Sequence, residues 1–517
     1  MSSSPKNSTN IHQITPLISK PPSENTPLLK PLIRRINKFL NDDDWIVYTF
    51  WEELRILTRY ALPVFGTHAL EFSLVMVPVI SIGHLSTTAL AAITLGSMTA
   101  NVTAFSILQG FASALDTILP STWTSSQPQL VGLWTQRMLV VMIFLLFPMY
   151  FIWFNAEPLL LTLRQDPEVA QLAAVYLRWA SIGLPAYAFN CVNQRYFQSQ
   201  GRFAISTRIN LIVAPINVIL NYFLVWGPPS IRLGFIGAPI ATAISFNLVA
   251  LMSIACGVFY VPKTAWYPLS RRMFTSLGVL LHLGLAGVGQ TASEWWAWEL
   301  VAIAASLLGP VALATQSVLL SSASMTFQVP FALSVATSVR IGNLLGEGNA
   351  KRASIASNTS IIMALILSVA TSMIFIIFKD NWAYLFNSDP DVVSLVASIL
   401  PLVALFQVFD GNAAVTDGIL RARGKQVTGA LLNLTSYYVI GIPFGIWLAF
   451  SWDMGVHGLW IGLTVSLVYC SFFGTLLCVH TDWNREVRKV IKRLKEEQDR
   501  AERLYSGHGH ERDEESR

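Results

Sequence analysis

The sequence predicts an all-α membrane protein with about 12 transmembrane helices in two pseudo-symmetric lobes of six helices each. The first observation is composition: the 517 residues are 53% hydrophobic and only 13% charged, whereas soluble globular chains carry about 25% charge. The second is position, because 34 of the 65 charged residues lie in 1–60 and 480–517. The residues between these tails therefore contain apolar runs of the ~20 residues that a membrane helix needs. The third observation is an internal repeat.

The apolar runs end at glycine, proline and charged residues, and these breaks define 12 predicted helices. Between them they account for most of the chain from residue 55 to residue 480. An even number of helices places both termini on one side of the membrane. The predicted spans are 55–81, 87–113, 131–154, 168–193, 204–226, 235–260, 273–306, 311–336, 354–378, 391–417, 429–450 and 456–479.

The distribution of basic residues predicts the orientation of the chain. Of the 35 Lys and Arg residues, 31 fall in the tails or in connections on the side of the termini. Because short basic connections stay on the cytoplasmic side, we expect both termini to be cytoplasmic. The domain order is then a disordered tail over 1–54, an N-lobe over 55–260, a C-lobe over 261–480, and a charged tail over 481–517.

A constant offset of 223 residues aligns the two halves of the sequence. At this offset Glu71 aligns with Glu294, and Asn210 aligns with Asn433. Six helices per half make the repeat parallel, so its pseudo-symmetry axis runs along the membrane normal. Two such lobes suit a carrier that opens alternately to the two sides, with its site near the middle of the membrane.

Several function classes are excluded by missing patterns. The sequence has no phosphate loop of the G-x-x-x-x-G-K-[ST] type, so an ion gradient rather than ATP is the expected energy source. The four cysteines and the histidines have no metal-ligand spacing, and no nucleophile or metal set indicates an enzyme. The basic residues form no single stripe, which argues against nucleic acid as a partner. We therefore expect no cofactor and no metal.

Acidic residues inside apolar runs are the first candidates for function, because a carboxylate at the bilayer centre costs at least ~2.5 kcal/mol. The alternative is a purely structural hydrogen bond to a neighbouring helix. We assign proton coupling to Glu294, Glu299 and Asp410, and take Glu71, Asp116 and Asp417 as secondary candidates.

The spacing of these acids constrains how they can cooperate. Glu294 precedes Gly309 by 15 residues, which is ~22 Å of helix and places it near the membrane centre. Glu299 points ~140° away from Glu294, so the two cannot share one proton directly. Asp410 and Asp417 lie on one face if their helix is continuous, but the glycine after each makes a break equally plausible.

Aromatic and polar side chains near these acids are candidates for the substrate cavity. Tryptophan faces beside a carboxylate suit a lipophilic organic cation, although membrane tryptophans also form interfacial belts. Polar residues at membrane depth usually join helix to helix, and a minority can line a cleft. The cavity is assigned to Trp295, Trp298, Gln316, Asn190, Tyr187 and Asn433.

Short motifs recur in a fixed order along the chain. Individually they are weak, and their order is what makes them specific. In sequence they are Gly83-His84-Leu85, Ala112-Ser113-Ala114-Leu115-Asp116-Thr117, Gln136-Arg137, Tyr196-Phe197-Gln198-Ser199-Gln200-Gly201, Glu294-Trp295-Trp296-Ala297-Trp298-Glu299, Pro330-Phe331, Arg340-Ile341-Gly342-Asn343-Leu344-Leu345-Gly346, Phe409-Asp410-Gly411, Gly424-Lys425-Gln426 and Tyr437-Tyr438-Val439-Ile440-Gly441-Ile442-Pro443.

With these motifs the chain resembles eukaryotic members of the multidrug and toxic compound extrusion (MATE) family over about residues 55–480. The resemblance implies a MATE-like fold of two six-helix lobes and transport by alternating access. It also implies export or sequestration of organic solutes and xenobiotics, cationic or amphipathic, in exchange for protons. Similar eukaryotic members carry their proton-linked carboxylate on the seventh helix, which here matches Glu294, with Glu299 and Asp410 as partners.

A flippase for a lipid-linked substrate is the alternative with the same two-lobe plan. Such a carrier should line its cleft with Arg and Lys to hold pyrophosphate, whereas this sequence places acids and tryptophans there. Proton-coupled antiport of small organic solutes is therefore the favoured function. The expected partners are these solutes and the lipid bilayer, and the expected state is a monomer.

The two tails carry further motifs. Glu24, Leu28 and Leu29 have the spacing of an acidic dileucine signal, which sorting adaptors read on the cytoplasmic side. This motif favours a vacuolar or endolysosomal membrane over the plasma membrane. Residues 482–504 have apolar residues spaced for a short amphipathic helix, to which we assign no function.

Overall fold

The computed structural model describes residues 42–83, 85–386 and 389–515. The chain separates into two units, Met1–Glu52 and Glu53–Arg517. In the first unit the described part is the beginning of one helix. The expected disorder of residues 1–41, the dileucine motif at Glu24, Leu28 and Leu29, and His84 of the first motif all lie outside the described residues.

The described chain is almost entirely helical and forms 18 α-helices, three of which are extended by π-helical turns at Asn101–Phe105, Tyr222–Trp226 and Thr435–Gly441. The helices are α1 Asp42–Gly83, α2 Thr87–Ala100, α3 Ser106–Ala112, α4 Ala114–Trp123, α5 Leu130–Phe154, α6 Ala156–Thr162, α7 Pro167–Ala180, α8 Leu184–Ser199, α9 Ala204–Asn221, α10 Gly237–Phe259, α11 Leu277–Leu307, α12 Pro310–Gly346, α13 Ala350–Trp382, α14 Pro390–Ala422, α15 Gln426–Leu434, α16 Ile442–Ser451, α17 Val456–Val479 and α18 Trp483–Glu515.

These helices form 12 membrane segments, as the sequence predicts. In the first half, segment 1 is α1, segment 2 comprises α2 to α4, segment 3 is α5, segment 4 comprises α7 and α8, segment 5 is α9, and segment 6 is α10. In the second half, segments 7 to 10 are α11 to α14 in order, segment 11 comprises α15 and α16, and segment 12 is α17. Within the described residues, ten of the segments are long and apolar enough to cross a membrane by composition alone. Segments 4 and 7 fall short because polar residues such as Asn190 and Glu294 interrupt their apolar runs.

The helix ends near α18 differ most from the predicted spans. Helix α1 begins at Asp42 rather than at residue 55, so the expected tail boundary at residue 54 is corrected. Segment 2 continues to Trp123 rather than ending at residue 113, and segment 8 continues to Gly346 rather than ending at residue 336. The extensions are polar, and the chain accommodates them by pairing their charges, as in Glu53 with Arg340.

Each half of the molecule packs around its own core. In the first half, segment 2 packs on segment 4, segment 3 on segment 4, and segment 5 on segment 6. In the second half, segment 10 is central and packs on segments 8, 9 and 12, while segment 7 packs on segment 11. The two halves are therefore separate lobes of six segments.

The lobes approach each other most closely along segments 2 and 7. A Cβ atom added at Gly287 would collide with the carbonyl oxygen of Gly110 and the hydroxyl of Ser113, and one at Gly284 would collide with the ring of Phe111. Small residues at such positions let membrane helices pack backbone to backbone. The contact lies toward the face that carries α18, which we call the α18 side.

Candidate functional site

Three carboxyl groups meet inside the second lobe. Glu294 comes from α11, whereas Asp410 and Asp417 come from α14, which is continuous from Pro390 to Ala422. The continuous helix resolves the alternatives left by the sequence, because residues seven apart share a face. The Glu294 carboxyl lies within electrostatic range of both aspartates. Asp410 is buried, with 5% of its surface exposed.

Asn433 on α15 joins this carboxyl cluster to the helix that carries Glu294. Its side-chain amide donates hydrogen bonds to Asp417 Oδ2 at 3.1 Å and to the Gln290 carbonyl oxygen at 3.0 Å. Arg421 is the cation within electrostatic range of both Glu294 and Asp417. Glu294 and Asp417 thus share one guanidinium, which also lies 3.8 Å from Asp116, so a proton or an organic cation can balance the remaining negative charge of the cluster.

A π-helical turn forms the wall beside the carboxyl cluster. Thr435–Gly441 departs from regular α-helix, and π-helical turns often occur at functional sites. The turn places the buried Tyr437 ring within electrostatic range of the three carboxyl groups. It also lets Tyr438 donate a hydrogen bond from its hydroxyl to the Ser293 carbonyl oxygen at 2.9 Å. The motif Tyr437-Tyr438 was the available sequence signal, but it did not indicate contact with the acids.

Trp298 and Gln316 lie in the packed interior of the second lobe. The Trp298 ring contacts Phe406 and Trp460 with centroid distances of 5.5 and 5.7 Å. Gln316 is buried, and its side-chain oxygen accepts a hydrogen bond from the Trp460 indole nitrogen at 2.9 Å. In this conformation both side chains support the lobe rather than an open surface.

Trp295 and Glu299 are placed differently from the carboxyl cluster. Trp295 is 37% exposed. Glu299 is partly buried, and within the described ranges it makes no hydrogen bond or ion pair. The structure therefore brings Glu294, Asp410, Asp417 and Asn433 together, and leaves Glu299 outside their hydrogen-bonded group.

The first lobe contains a smaller group around Glu71. Glu71 accepts a hydrogen bond from Asn210 at 3.2 Å and lies 3.2 Å from His68 Nδ1. Asn210 and Asn433 align at the offset of 223 residues, and both donate to a carboxyl group of their own lobe. The repeated asparagine thus bonds a carboxyl group in both lobes, but the acceptors differ in position, since Glu71 aligns with Glu294 whereas Asn433 donates to Asp417.

Tyr187 and Asn190 lie on segment 4 of the first lobe. The Tyr187 hydroxyl accepts a hydrogen bond from the Gln109 amide at 3.2 Å, and its ring packs against Phe105 with a centroid distance of 4.5 Å. Asn190 donates to the Phe246 carbonyl oxygen at 3.0 Å. These contacts join segments 2, 4 and 6 within the lobe.

Asp116 lies at the contact between the lobes on the α18 side. Its carboxylate is 3.5 Å from Arg195 of its own lobe and 3.8 Å from Arg421 of the second lobe. Nearby, Gln426 donates to the Ser113 carbonyl oxygen at 2.9 Å. Asp116 is therefore a salt-bridged residue between the lobes, unlike the acids around Glu294.

A buried charge cluster also links the lobes on this side, and the sequence did not reveal it. Glu53 of segment 1 has no exposed surface. It accepts two hydrogen bonds from Arg340 of segment 8, at 2.6 and 2.7 Å, and one from Arg352 of segment 9 at 2.5 Å. We call these three residues the Glu53 cluster, and with Asp116 they hold the α18 side closed.

Comparison with known proteins gives a consistent result across the membrane segments. The MatE family model matches residues 63–223 and 288–447. The two matched ranges reproduce the internal repeat. An uncharacterized transporter of Schizosaccharomyces pombe is 38% identical over 458 residues, covering 88% of this chain and 84% of the relative. Mouse multidrug and toxin extrusion protein 2 is 34% identical over 450 residues, covering 86% of this chain and 78% of the relative.

A solved structure shows the same arrangement of helices. The crystal structure of the eukaryotic MATE transporter AtDTX14 superposes with a TM-score of 0.82 at 29% sequence identity. It covers 86% of this chain and 100% of that chain. The expected two-lobe architecture is thus confirmed, and the charged tails fall largely outside the shared region.

Proposed function

The chain belongs to the MATE family of membrane transporters, and from this premise we propose that it is a proton-coupled antiporter that exports or sequesters organic solutes. Members of the family are transporters and not enzymes, so the expectation of a non-enzyme is confirmed by membership. Cationic or amphipathic xenobiotics are the proposed substrates. The name of the mouse relative, which refers to multidrug and toxin extrusion, supports this class.

The observation that carries the proposal is the carboxyl cluster of Glu294, Asp410 and Asp417. Carboxylates that share a site repel each other when they are ionised together, and either a proton or a bound cation relieves the repulsion. Proton and organic cation therefore compete for the same negative charge. Such competition couples the release of one ligand to the binding of the other, which antiport requires together with a change of access between the two sides.

Alternating access requires the contacts on the α18 side to break and reform. The Glu53 cluster and the Asp116 salt bridges lie between the lobes on that side. Proton binding at Glu294 can reach these contacts through Arg421, which is in electrostatic range of both Glu294 and Asp116. Neutralising Glu294 frees Arg421 to bind Asp116 more strongly, which favours closure of the α18 side.

Orientation and location follow from the basic connections and the N-terminal motif. We propose that the α18 side and both termini are cytoplasmic, because 31 of 35 basic residues fall on the side of the termini. The spacing of Glu24, Leu28 and Leu29 supports delivery by sorting adaptors to a vacuolar or endolysosomal membrane. The proposed carrier acts as a monomer, uses the proton gradient without a cofactor, and has no nucleic acid partner.

Transport in liposomes tests this proposal. Purified protein is reconstituted, and uptake of a fluorescent organic cation is measured with and without an imposed pH gradient. We expect gradient-driven uptake by the wild type and its loss in Glu294→Gln and Asp410→Asn. Uptake by wild type that is independent of the gradient would refute proton coupling, and undiminished gradient-driven uptake by Glu294→Gln would refute the assignment of Glu294.

A further inference from the structure

A cavity of about 470 Å³ lies on the α18 side, between α18 and the beginning of α11. The end of segment 10 and Thr117 of segment 2 complete its wall. One part of the lining is apolar and includes Val279, Leu283 and Val490. The cavity is thus formed by both lobes together with α18, and it is separate from the carboxyl cluster.

The other part of the lining carries an excess of positive charge. Arg423, Lys489 and Arg493 line the cavity together with His282, against the single carboxylate of Glu486. Glu486 is shared, because it lies 3.1 Å from Lys489 and 3.8 Å from Arg423. One buried carboxylate therefore faces three cations, of which Arg423 is buried, Arg493 is partly buried and Lys489 is about half exposed. Burying an unbalanced charge, as at Arg423, is costly.

The excess of positive charge over negative charge is clearest at Arg423. Its side chain is only 5% exposed. One terminal nitrogen donates to the Leu477 carbonyl oxygen at 3.3 Å, while Nε has no hydrogen-bond partner in the part of the chain that the structure describes. Burial lowers the pKa of Arg423 below its usual range, as expected for a cation without full compensation.

Arg493 is the second cation withdrawn from solvent at the cavity, and it is partly buried. It donates hydrogen bonds to the Ser121 hydroxyl at 2.8 Å and to the Thr117 carbonyl oxygen at 3.4 Å, so α18 is bonded to segment 2 of the first lobe. Burial lowers the pKa of Arg493 to about 10, although the Glu497 carboxylate opposes the shift. The two hydrogen-bond acceptors are uncharged, so Glu497 and an anion bound in the cavity are the groups that can compensate the charge of Arg493.

We propose that this cavity binds an anionic phosphate group, with Arg423, Lys489 and Arg493 as its ligands and Val279 and Leu283 beside the apolar part of the bound molecule. Guanidinium groups suit phosphate because their fixed donors can pair with two oxygens at once. Both a phospholipid headgroup and a soluble phosphate compound contain such an anionic phosphate group. Because the cavity requires α18 in place, the bound phosphate also holds α18 against both lobes.

Thermal unfolding of the purified full-length protein in detergent tests the site without any transport measurement. A ligand that binds only the folded state raises the melting temperature by an amount that grows with the logarithm of its concentration divided by its Kd. The probes are inorganic phosphate, dioctanoyl phosphatidic acid and, as a control without phosphate, dioctanoylglycerol, all at constant ionic strength. Stabilisation by phosphatidic acid alone identifies a lipid headgroup, and equal stabilisation by inorganic phosphate identifies a soluble phosphate.

Two lysines of α18 provide matched variants. Lys489 lines the cavity and is about half exposed, whereas Lys492 is 79% exposed, lies one turn away and does not line it. We expect Lys489→Gln to weaken phosphate binding about tenfold, the effect of losing one charged hydrogen bond. Lys492→Gln should bind as the wild type does, and Arg493→Gln should bind more weakly than Lys489→Gln.

Three results would overturn the proposal. The first is a wild-type melting temperature that neither phosphate probe raises. The second is equal stabilisation by dioctanoylglycerol and dioctanoyl phosphatidic acid, which would indicate apolar binding alone. The third is equal weakening in Lys489→Gln and Lys492→Gln, which would indicate general attraction to the basic surface of α18.

Discussion

Replacing Glu53 by Gln should open the α18 side of the transporter. Glu53 lies between Arg340 and Arg352, and its oxygens accept hydrogen bonds of 2.5 to 2.7 Å from both guanidinium groups. Glutamine has nearly the same size but no charge. The substitution therefore removes the negative charge of Glu53 from between two guanidinium groups and weakens the contact that joins segments 1, 8 and 9.

The magnitude follows from the burial of the Glu53 cluster. Removing one partner of a buried ion pair costs about 3–5 kcal/mol. Arg340 and Arg352 keep 9% and 17% of their side-chain surface exposed, so water can compensate part of this loss. We expect Glu53→Gln to destabilise the closed state by about 3 kcal/mol, which raises the ratio of molecules open on the α18 side to molecules closed there by roughly 100-fold.

Cysteine accessibility measures this shift. Thr124 is partly buried and donates a hydrogen bond to the Asn343 carbonyl oxygen of the other lobe at 2.8 Å, so a cysteine at position 124 is less accessible while the α18 side is closed. In a Thr124→Cys background without Cys256, we expect Glu53→Gln to speed modification by a polar maleimide at least tenfold. Glu53→Asp, which keeps the charge, should have a smaller effect.

A control variant separates this effect from general loss of charge. Glu496 is 57% exposed and pairs with Lys492 at 3.9 Å, so Glu496→Gln should change neither labelling nor melting temperature. Equal labelling rates in Glu53→Gln and its parent, with an unchanged melting temperature, would show that the Glu53 cluster does not hold the lobes together.

Three further substitutions test the packing and the carboxyl cluster. Gly287→Ala should lower the free energy of unfolding by about 1–3 kcal/mol, because the added Cβ meets the backbone of the facing helix. Gly257→Ala is the control and should leave the stability unchanged, since its Cβ would make only ordinary contacts. Equal melting temperatures of the two variants would contradict close packing of the helices at Gly287. Asn433→Ala should lower the free energy of unfolding by about 1–2 kcal/mol and also lower proton-driven uptake, since it removes two hydrogen bonds. Full uptake by this variant would exclude a role of Asn433 in the site. Trp298→Ala should lower the free energy of unfolding by about 3 kcal/mol, whereas Trp295→Ala should lower the melting temperature far less. Similar losses of stability in the two variants would contradict the different burial of the two side chains.

The sequence was sufficient to predict the helices and their grouping into lobes. Apolar length identifies a membrane helix almost independently of its surroundings, which explains why spans such as Val456–Val479 match the prediction. The ends of the helices near α18 could not be predicted from apolar length. Glu53 and Arg340 are 287 residues apart, so no local pattern shows that their charges compensate each other and allow both helices to continue.

The candidate site could be predicted in part. Glu294 and Asp410 stand out because acids are rare in apolar runs. The contacts of Asn433 with Asp417 and of Tyr437 with the carboxyl cluster depend on the π-helical turn and on the rotation of segment 11, which the sequence does not specify. The two helices that carry Trp298 and Gln316 have polar residues without a strong amphipathic period, so the sequence pattern does not distinguish the packed interior from a cleft.

The competition between proton and solute at Glu294 is tested most directly by counting the protons released when a solute binds. Calorimetry of the purified protein with an organic cation, in two buffers of different ionisation enthalpy, gives this number. We predict proton release by the wild type and by Asp391→Asn, whose carboxylate is exposed at the beginning of α14. Glu294→Gln should bind the cation without this release. Identical proton release by Glu294→Gln and wild type would contradict the proposed mechanism.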